Sequence, residues 1–204
     1  MEELTLLGER AVQAKYELQR MTTERKNEVL EAVAEALIQN TEYLLLENHK
    51  DLERGIANEM NPGLVDRLRL TKERIAGMAE GIRQIVKLPD PVGEILDDYE
   101  AENGLHIVKK RVPMGVIGII YESRPNVTAD AFGLCFKSGS AVILRGGSDA
   151  IRSNMAITKV IQDAVVRKGV DPYVIQLIES TDRSVVNEFM KMKQYVDLLI
   201  PRGG

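Results

Sequence analysis

The stretch Arg111–Ser148, RVPMGVIGIIYESRPNVTADAFGLCFKSGSAVILRGGS, decides how this chain folds. Val116-Ile117-Gly118-Ile119-Ile120 is an apolar, β-branched run, the composition of a buried strand. It breaks at Tyr121-Glu122-Ser123-Arg124-Pro125, and a helical segment follows from Asn126 to about Ser138. A second apolar run, Ala141-Val142-Ile143-Leu144, ends in Arg145-Gly146-Gly147-Ser148. The unit is strand–loop–helix–strand–loop, with both polar loops at the carboxyl ends of strands. In open α/β sheets that edge is where ligands bind.

Downstream the unit repeats. Ile151, Met155, Ile157, Val160, Ile161, Ala164 and Val165 mark a helix closed by Gly169. Tyr173–Ile178 reads as a third strand, Asp182–Met192 as a third crossover helix and Asp197–Ile200 as a fourth strand. Strict alternation of strand and helix implies an α/β fold with a parallel, right-handed, Rossmann-like sheet. The sequence stops at Pro201-Arg202-Gly203-Gly204, where the earlier units would start a helix. A glycine-rich loop opening a helix binds phosphate through free N–H groups and the helix dipole. The chain therefore reads as a truncated piece of a longer protein.

Upstream, residues 3 to 60 carry apolar positions at helical spacing, with Thr22 or Thr23 and Thr41 as starts and Asn40 as a stop. Asn61-Pro62-Gly63 is a turn, Leu64–Leu68 a short helix, and Thr71 the cap of a helix running to about Val86. These helices read as N-terminal support packed on the sheet. Leu88-Pro89-Asp90-Pro91-Val92-Gly93 breaks the pattern, because each proline removes a donor and fixes φ. Glu94–Asp97 and His106–Val112 then read as two strands around an Asn103-Gly104 turn. Neither face alternates cleanly, so a protruding hairpin that packs on another subunit is expected. The organisation is 1–93 helical, 94–112 hairpin and 113–204 Rossmann-like.

The 204 residues suit one domain or a little more, and 44% hydrophobic content supports a real core. A formal charge of −4 argues against nucleic acid or an acidic membrane surface as the main partner. No apolar run approaches the ~18–20 residues of a membrane span. The acidic start Met1-Glu2-Glu3 lacks the features of a secretory signal, so a cytoplasmic location is expected. One cysteine excludes an internal disulfide and fits a reducing compartment. With only two histidines, far apart at His49 and His106, a His/Cys metal site is not expected.

The chemistry concentrates in the two loops. No Gly-x-Gly-x-x-Gly is present. Arg145-Gly146-Gly147-Ser148 combines close backbone approach, a fixed charge and a hydroxyl, which suits a phosphate ester. The same letters fit a glycine turn with a surface arginine. Glu122-Ser123-Arg124-Pro125-Asn126 places an acid, a hydroxyl, a guanidinium and an amide at a strand's edge, in position to orient substrate or cofactor. Equally, Asn126 or Thr128 fits a helix cap, and Arg124 fits a partner for Glu122. Cys135 lies mid-helix among apolar residues, so its thiol is expected to be inert. Gly115 and Gly118, at a strand start, fit close backbone approach.

The run Val112–Asn154, VPMGVIGIIYESRPNVTADAFGLCFKSGSAVILRGGSDAIRSN, closely resembles the γ-glutamyl phosphate reductases of the aldehyde dehydrogenase superfamily. Asn61–Leu68 and Asp197–Gly204 extend the resemblance over essentially the whole chain. It implies NADPH-dependent reduction of L-glutamyl 5-phosphate to the semialdehyde, the second step of proline biosynthesis, through a cysteine thioester. The loop Ile120-Tyr121-Glu122-Ser123 is then expected to pass the nicotinamide half of NADP(H). Ser123 stands where the superfamily has an oxyanion-donating asparagine. Arg145-Gly146-Gly147-Ser148 is expected at the adenosine ribose, and the lack of an acid at Ser148 favours a 2′-phosphate. Arg202, Gly203 and Gly204 are expected at the pyrophosphate, with Arg124 and Asn126 at the substrate. The family's nucleophilic cysteine aligns beyond Gly204, so no catalytic residue and no catalytic domain are expected here. The hairpin resembles the superfamily's oligomerisation arm, which implies a homo-oligomer, and contact with glutamate 5-kinase is a further expectation. Another acyl reductase of the superfamily, such as an acyl-CoA reductase, or a non-catalytic nucleotide-binding or assembly module, stands as the alternative.

Overall fold

The fold is described here from a computed structural model, over residues 2–202. Five helices come first: α1 (Glu2–Leu18), α2 (Thr23–Gln39), α3 (Thr41–Ala57), α4 (Pro62–Leu68) and α5 (Lys72–Lys87). Their starts are chemical. The Thr22 and Thr71 hydroxyls accept from the amides of Arg25 and Arg74, and the Asn61 side chain accepts from Gly63 with Pro62 in the first turn. A hairpin follows, β1 (Ile95–Glu100) antiparallel to β2 (His106–Lys110). The α/β part comprises β3 (Val116–Tyr121), α6 (Asn126–Lys137), β4 (Ala141–Arg145), α7 (Ile151–Arg167), β5 (Ile175–Leu177), α8 (Arg183–Phe189) and β6 (Leu198–Arg202).

The four strands pair in parallel in the order β5-β4-β3-β6. The chain runs outward from β3 through β4 to β5, then crosses back to place β6 on the far side of β3. That reversal puts a topological switch point between the carboxyl ends of β3 and β6, where neighbouring connections leave in opposite directions. β4 is wholly buried and β3 nearly so, as their unbroken apolar letters require when both faces are covered. On one face α6 packs on β3 and β4 and α7 on β5, backed by α2 and α5. On the other, α1 brings Gly8 against the Tyr195 ring, and Lys15 pairs with Asp197 at 3.0 Å. Gly118 lets Phe189 and Leu199 approach β3 so closely that a Cβ there would sit 2.8 Å from each.

A buried polar knot anchors the proline break to this scaffold. Lys26, buried on α2, pairs with Asp90, which also accepts from Thr23 Oγ1 and the Val92 amide, both at 2.9 Å. Burial alone would lift the Asp90 pKa, but Lys26, Val92 and Thr23 together hold it below the ordinary carboxylate value.

Several boundaries differ from the sequence expectation. The hairpin strands are Ile95–Glu100 and His106–Lys110 around a turn at 101–105, because Ala101 donates to the Leu105 carbonyl at 2.8 Å and extends the first strand. The third strand keeps only Ile175–Leu177, since Asp171-Pro172 forms a turn in which Asp171 accepts from the Tyr173 amide at 2.8 Å. The third crossover helix ends at Phe189, and Met192 and Val196 reach the core from turns. Pro201 and Arg202 belong to β6 and not to a loop. β6 pairs only with β3 among the described residues, and an outer strand tolerates a proline. The hairpin protrudes as expected, with no residue of either strand buried. Among the described residues no helix is long and apolar enough to cross a membrane.

Candidate functional site

The two loops meet at one edge of the sheet. Ile120 registers with Arg145 on one side and Pro201 on the other, and Tyr121 registers with Arg202. Beyond the strand ends, Gly147 lies against Ser123 so closely that a Cβ on Gly147 would come 2.2 Å from Ser123 Oγ and 2.8 Å from its amide nitrogen. A Cβ on Gly146 would come 2.2 Å from Asn154 Nδ2 and 3.0 Å from the Tyr121 hydroxyl. The two glycines are therefore needed to bring the loops together, whatever else they approach.

Beneath them runs a buried hydrogen-bond chain. Tyr121 shares a hydrogen bond with Thr128 Oγ1 at 2.7 Å, and Thr128 donates to Asn154 Oδ1 at 3.1 Å. Burial pushes the Tyr121 phenol well above its ordinary pKa, so it acts as a neutral donor. Tyr121 thus serves from below as loop support, its hydroxyl held by Thr128. Arg145 is also buried. Its Nη groups donate to the carbonyls of Gly146 and Thr181, and burial lowers its pKa. It fixes the loop after β4 to the loop after β5 and sets the local field.

At the rim, Ser148 is exposed, and Ser123 donates to Asp149 Oδ2 at 3.2 Å. As an oxyanion donor Ser123 would have to release that bond. The cation nearest the Ser148 corner is Arg54 on α3, whose Nη2 donates to the carbonyls of Ser148 and Asp149, both at 3.0 Å. Arg54 also pairs at 2.8 Å with the fully buried Asp51. Asp51 accepts from the amides of Arg152 and Ser153 at 3.2 and 2.8 Å and from Ser153 Oγ at 2.7 Å. It caps α7 from another helix, in place of Ala150, which has no side-chain cap to offer. Asp51 and Arg54 are the site residues that the loop motifs do not point to. Their letters lie mid-helix in an ordinary amphipathic pattern, and only the tertiary approach of α3 reveals them.

Arg124 sits 3.7 Å from Glu122, Asn126 donates to Asp130 at 3.1 Å, and Arg202 lies exposed at the end of β6. Ile120 is half-buried within β3. A cavity of about 260 Å³ lies against Ser123, Gly147 and Asp149, and a smaller one of about 220 Å³ joins Tyr121, Glu122, Arg124 and Arg202 across the switch point. Gly203 and Gly204 lie outside the described residues. Cys135 is buried among apolar side chains, which pushes its thiol up to about 12, so it is no nucleophile at neutral pH.

A parallel sheet of this order, with ligand-edge loops but no Gly-x-Gly-x-x-Gly, has a counterpart among known families. The family model described as aldehyde dehydrogenase matches residues 2–200. This chain belongs to the aldehyde dehydrogenase family. Two curated γ-glutamyl phosphate reductases, from Clostridium botulinum (strain Eklund 17B / Type B) and Lachnospira eligens, are 51% and 54% identical to it over 204 residues. Each alignment covers 100% of this chain and 49% of the relative. The crystal structure of γ-glutamyl phosphate reductase from Thermotoga maritima superposes with a TM-score of 0.97 at 41% identity, over 99% of this chain and 49% of that one. The chain therefore spans about half the length of the curated relatives it matches. Within the family's fold, the loops of Tyr121–Arg124 and Arg145–Ser148 stand together at the carboxyl edge, joined by Gly147 on Ser123 and by the Ser123–Asp149 bond.

Proposed function

We propose that this chain is the cofactor-binding portion of a γ-glutamyl phosphate reductase and holds NADP(H) at the edge formed by Ile120–Ser123 and Arg145–Ser148. The observation that carries the reading is the contact of those two loops at the carboxyl edge of β3 and β4, next to the switch point, where one extended cofactor can reach both. The residues at the Ser148 corner suit a 2′-phosphate. Ser148 offers a hydroxyl, Arg54 lies against its carbonyl, the buried Arg145 ties down the loop that carries it, and the Asp149 carboxylate is turned to Ser123. We assign Arg202 to the pyrophosphate, and Arg124 and Asn126 to the substrate.

When bound, NADPH supplies the hydride that reduces L-glutamyl 5-phosphate to L-glutamate 5-semialdehyde with release of phosphate. The chain's own part is to bind and orient. The glycine pair holds the loops at a fixed spacing, the Tyr121–Thr128–Asn154 chain stiffens the floor, and Asp51 fixes the turn that presents Ser148. Ser123 is the candidate donor to a developing oxyanion. Its only cysteine is Cys135, so we propose that the nucleophile belongs to the other half of the enzyme. We further assign residues 1–93 as the helical part of the cofactor domain, 94–112 as a subunit-contact hairpin and 113–204 as the Rossmann-like part, in a cytoplasmic homo-oligomer with glutamate 5-kinase as a functional neighbour.

Calorimetric titration of the chain with NADPH and NADH tests the reading. NADPH is expected to bind at least about tenfold tighter, a difference of about 1.4 kcal/mol. Equal affinities, or no competition by 2′-phosphorylated adenosine, would refute the 2′-phosphate assignment.

A further inference from the structure

Beside the cofactor edge lies a second concavity of about 520 Å³, between α4–α5 and the start of α6. Arg67, Arg69, Arg74 and Arg124 line it, against the carboxylates of Asp66 and Asp130. Asp66 is already committed, since both of its oxygens accept from Arg74 Nη2, at 3.1 and 3.2 Å. Asp130 accepts from Asn126 and lies in the field of Arg202. The guanidinium groups of Arg67 and Arg69 have no hydrogen bond or ion pair among the described residues. Arg124 Nε is buried and makes no hydrogen bond there either.

The start of α6 adds to the imbalance. Its first turn holds no acidic residue, and Pro125 in the capping position offers no side-chain acceptor. A helix start carries roughly half a positive charge, which proteins usually meet with an acid or an acceptor. Arg74 has Asp66 and Arg124 has Glu122 at 3.7 Å, so Arg67, Arg69 and an uncapped helix start face one cleft with only Asp130 left over to balance them. Such crowding costs repulsion, and an anionic ligand removes it. Two isolated arginines on a solvated helix would be unremarkable, but Arg67 also reaches the cavity beside Ser123 and Gly147, which makes the cleft continuous with the cofactor edge.

We infer that Arg67 and Arg69, together with Arg124, form the receptor for an anionic end of the substrate. The ligand class is a small oxyanion-bearing metabolite whose phosphoryl or carboxylate group presents two oxygens to a guanidinium fork. The volume suits a compact amino-acid derivative. That it is the acyl phosphate of an amino dicarboxylate rests on the function proposed above. The anion site itself rests on the cleft's charges alone. Arg67 and Arg69 act in recognition and not in the chemical step.

The test uses the 204-residue chain labelled throughout with nitrogen-15, followed by the NMR signals of the arginine Nε–H groups and of the backbone amides. Inorganic phosphate and L-glutamate are titrated separately, and NADPH is titrated in a third sample. Saturable shifts at Arg67, Arg69 and Arg124 are expected with at least one of the two anions. Phosphate alone assigns the site to the phosphoryl end, and L-glutamate alone assigns it to the carboxylate end. Arg69→Gln and Arg67→Gln should each weaken that anion by about tenfold, and Arg69→Gln, which lies outside the cavity beside Ser123 and Gly147, should leave NADPH affinity and the unfolding midpoint unchanged. A uniform, unsaturating drift of all arginine signals, or an affinity indifferent to both variants, overturns the assignment. Because NADPH is read at the amides of Ser123, Gly147 and Ser148, failure of the cofactor reading would be seen separately.

Discussion

Asp51→Ala should unlock the corner that presents Ser148. The carboxylate is fully buried and accepts three hydrogen bonds from Arg152 and Ser153 while pairing with Arg54. Truncation removes the side-chain cap that Asp51 gives α7, worth about 1–2 kcal/mol. It also leaves the Ser153 amide and hydroxyl buried without an acceptor, at about 1–3 kcal/mol. Arg54 is 42% exposed and can turn to water, so the larger penalty of a stranded buried charge does not apply. The sum is about 3 kcal/mol, which for a chain of this size lowers Tm by roughly 6–12 °C. Asp51→Asn keeps the shape and one acceptor and should cost about half as much. Scanning calorimetry reads the stability, and NADPH titration reads the corner, where Asp51→Ala should weaken binding severalfold once Arg54 loses its anchor. A Tm within about 2 °C of the parent would show that α7 starts without Asp51 and would refute this account of the turn.

Gly147→Ala forces a Cβ to within 2.2 Å of Ser123 Oγ and 2.8 Å of a backbone nitrogen that cannot rotate away. A loss of about 1–3 kcal/mol is expected in urea unfolding, together with weaker NADPH binding, whereas Gly77→Ala, with open space around it, should cost nothing. Asp90→Asn strands the buried Lys26 ammonium and should cost about 3–5 kcal/mol at pH 7. Because the folded-state pKa of Asp90 is depressed, the parent's advantage is complete above the ordinary value of 3.8 and is lost as pH falls through the folded value, so the two urea midpoints should converge in acid. Cys135, with its thiol pushed up to about 12, should resist alkylation at pH 8 in the native chain and react promptly in urea.

The order of elements was legible because β3, β4 and the helices between them obey their own periods. A fully buried parallel strand has to read as an unbroken apolar run, and Val116–Ile120 and Ala141–Leu144 do. Thr22 and Thr71 declared their helices because a capping hydroxyl acts within three residues. The alternation of strands also foretold a shared edge for the two loops. What local letters could not carry was the destination of long side chains. Arg145 looks like a free cation in Arg-Gly-Gly-Ser, yet the loop after β5 supplies the Thr181 carbonyl that turns it inward. Asp51 looks like one more surface acid on an amphipathic helix, and nothing within its own turn says that the amides of α7 will arrive above it.

The same distance effect changes the role of the N-terminal helices. From sequence they read as support for a sheet, and α2 and α5 do lie behind α6 and α7. Yet the charge that faces the Ser148 corner comes from Arg54, 94 residues earlier in the chain, and the unpaired cations of the neighbouring cleft come from Arg67 and Arg69 on and just after α4. The sheet supplies glycines, backbone and a hydroxyl, which can shape a site for any nucleotide. In the proposed site, discrimination by charge is left to α3, where Arg54 meets the sheet's edge. If the proposed 2′-phosphate site is right, moving the Tyr121–Asn126 and Arg145–Ser148 loops alone onto another parallel sheet would transfer a cradle without its selectivity, because Arg54, the cation at the Ser148 corner, would stay behind.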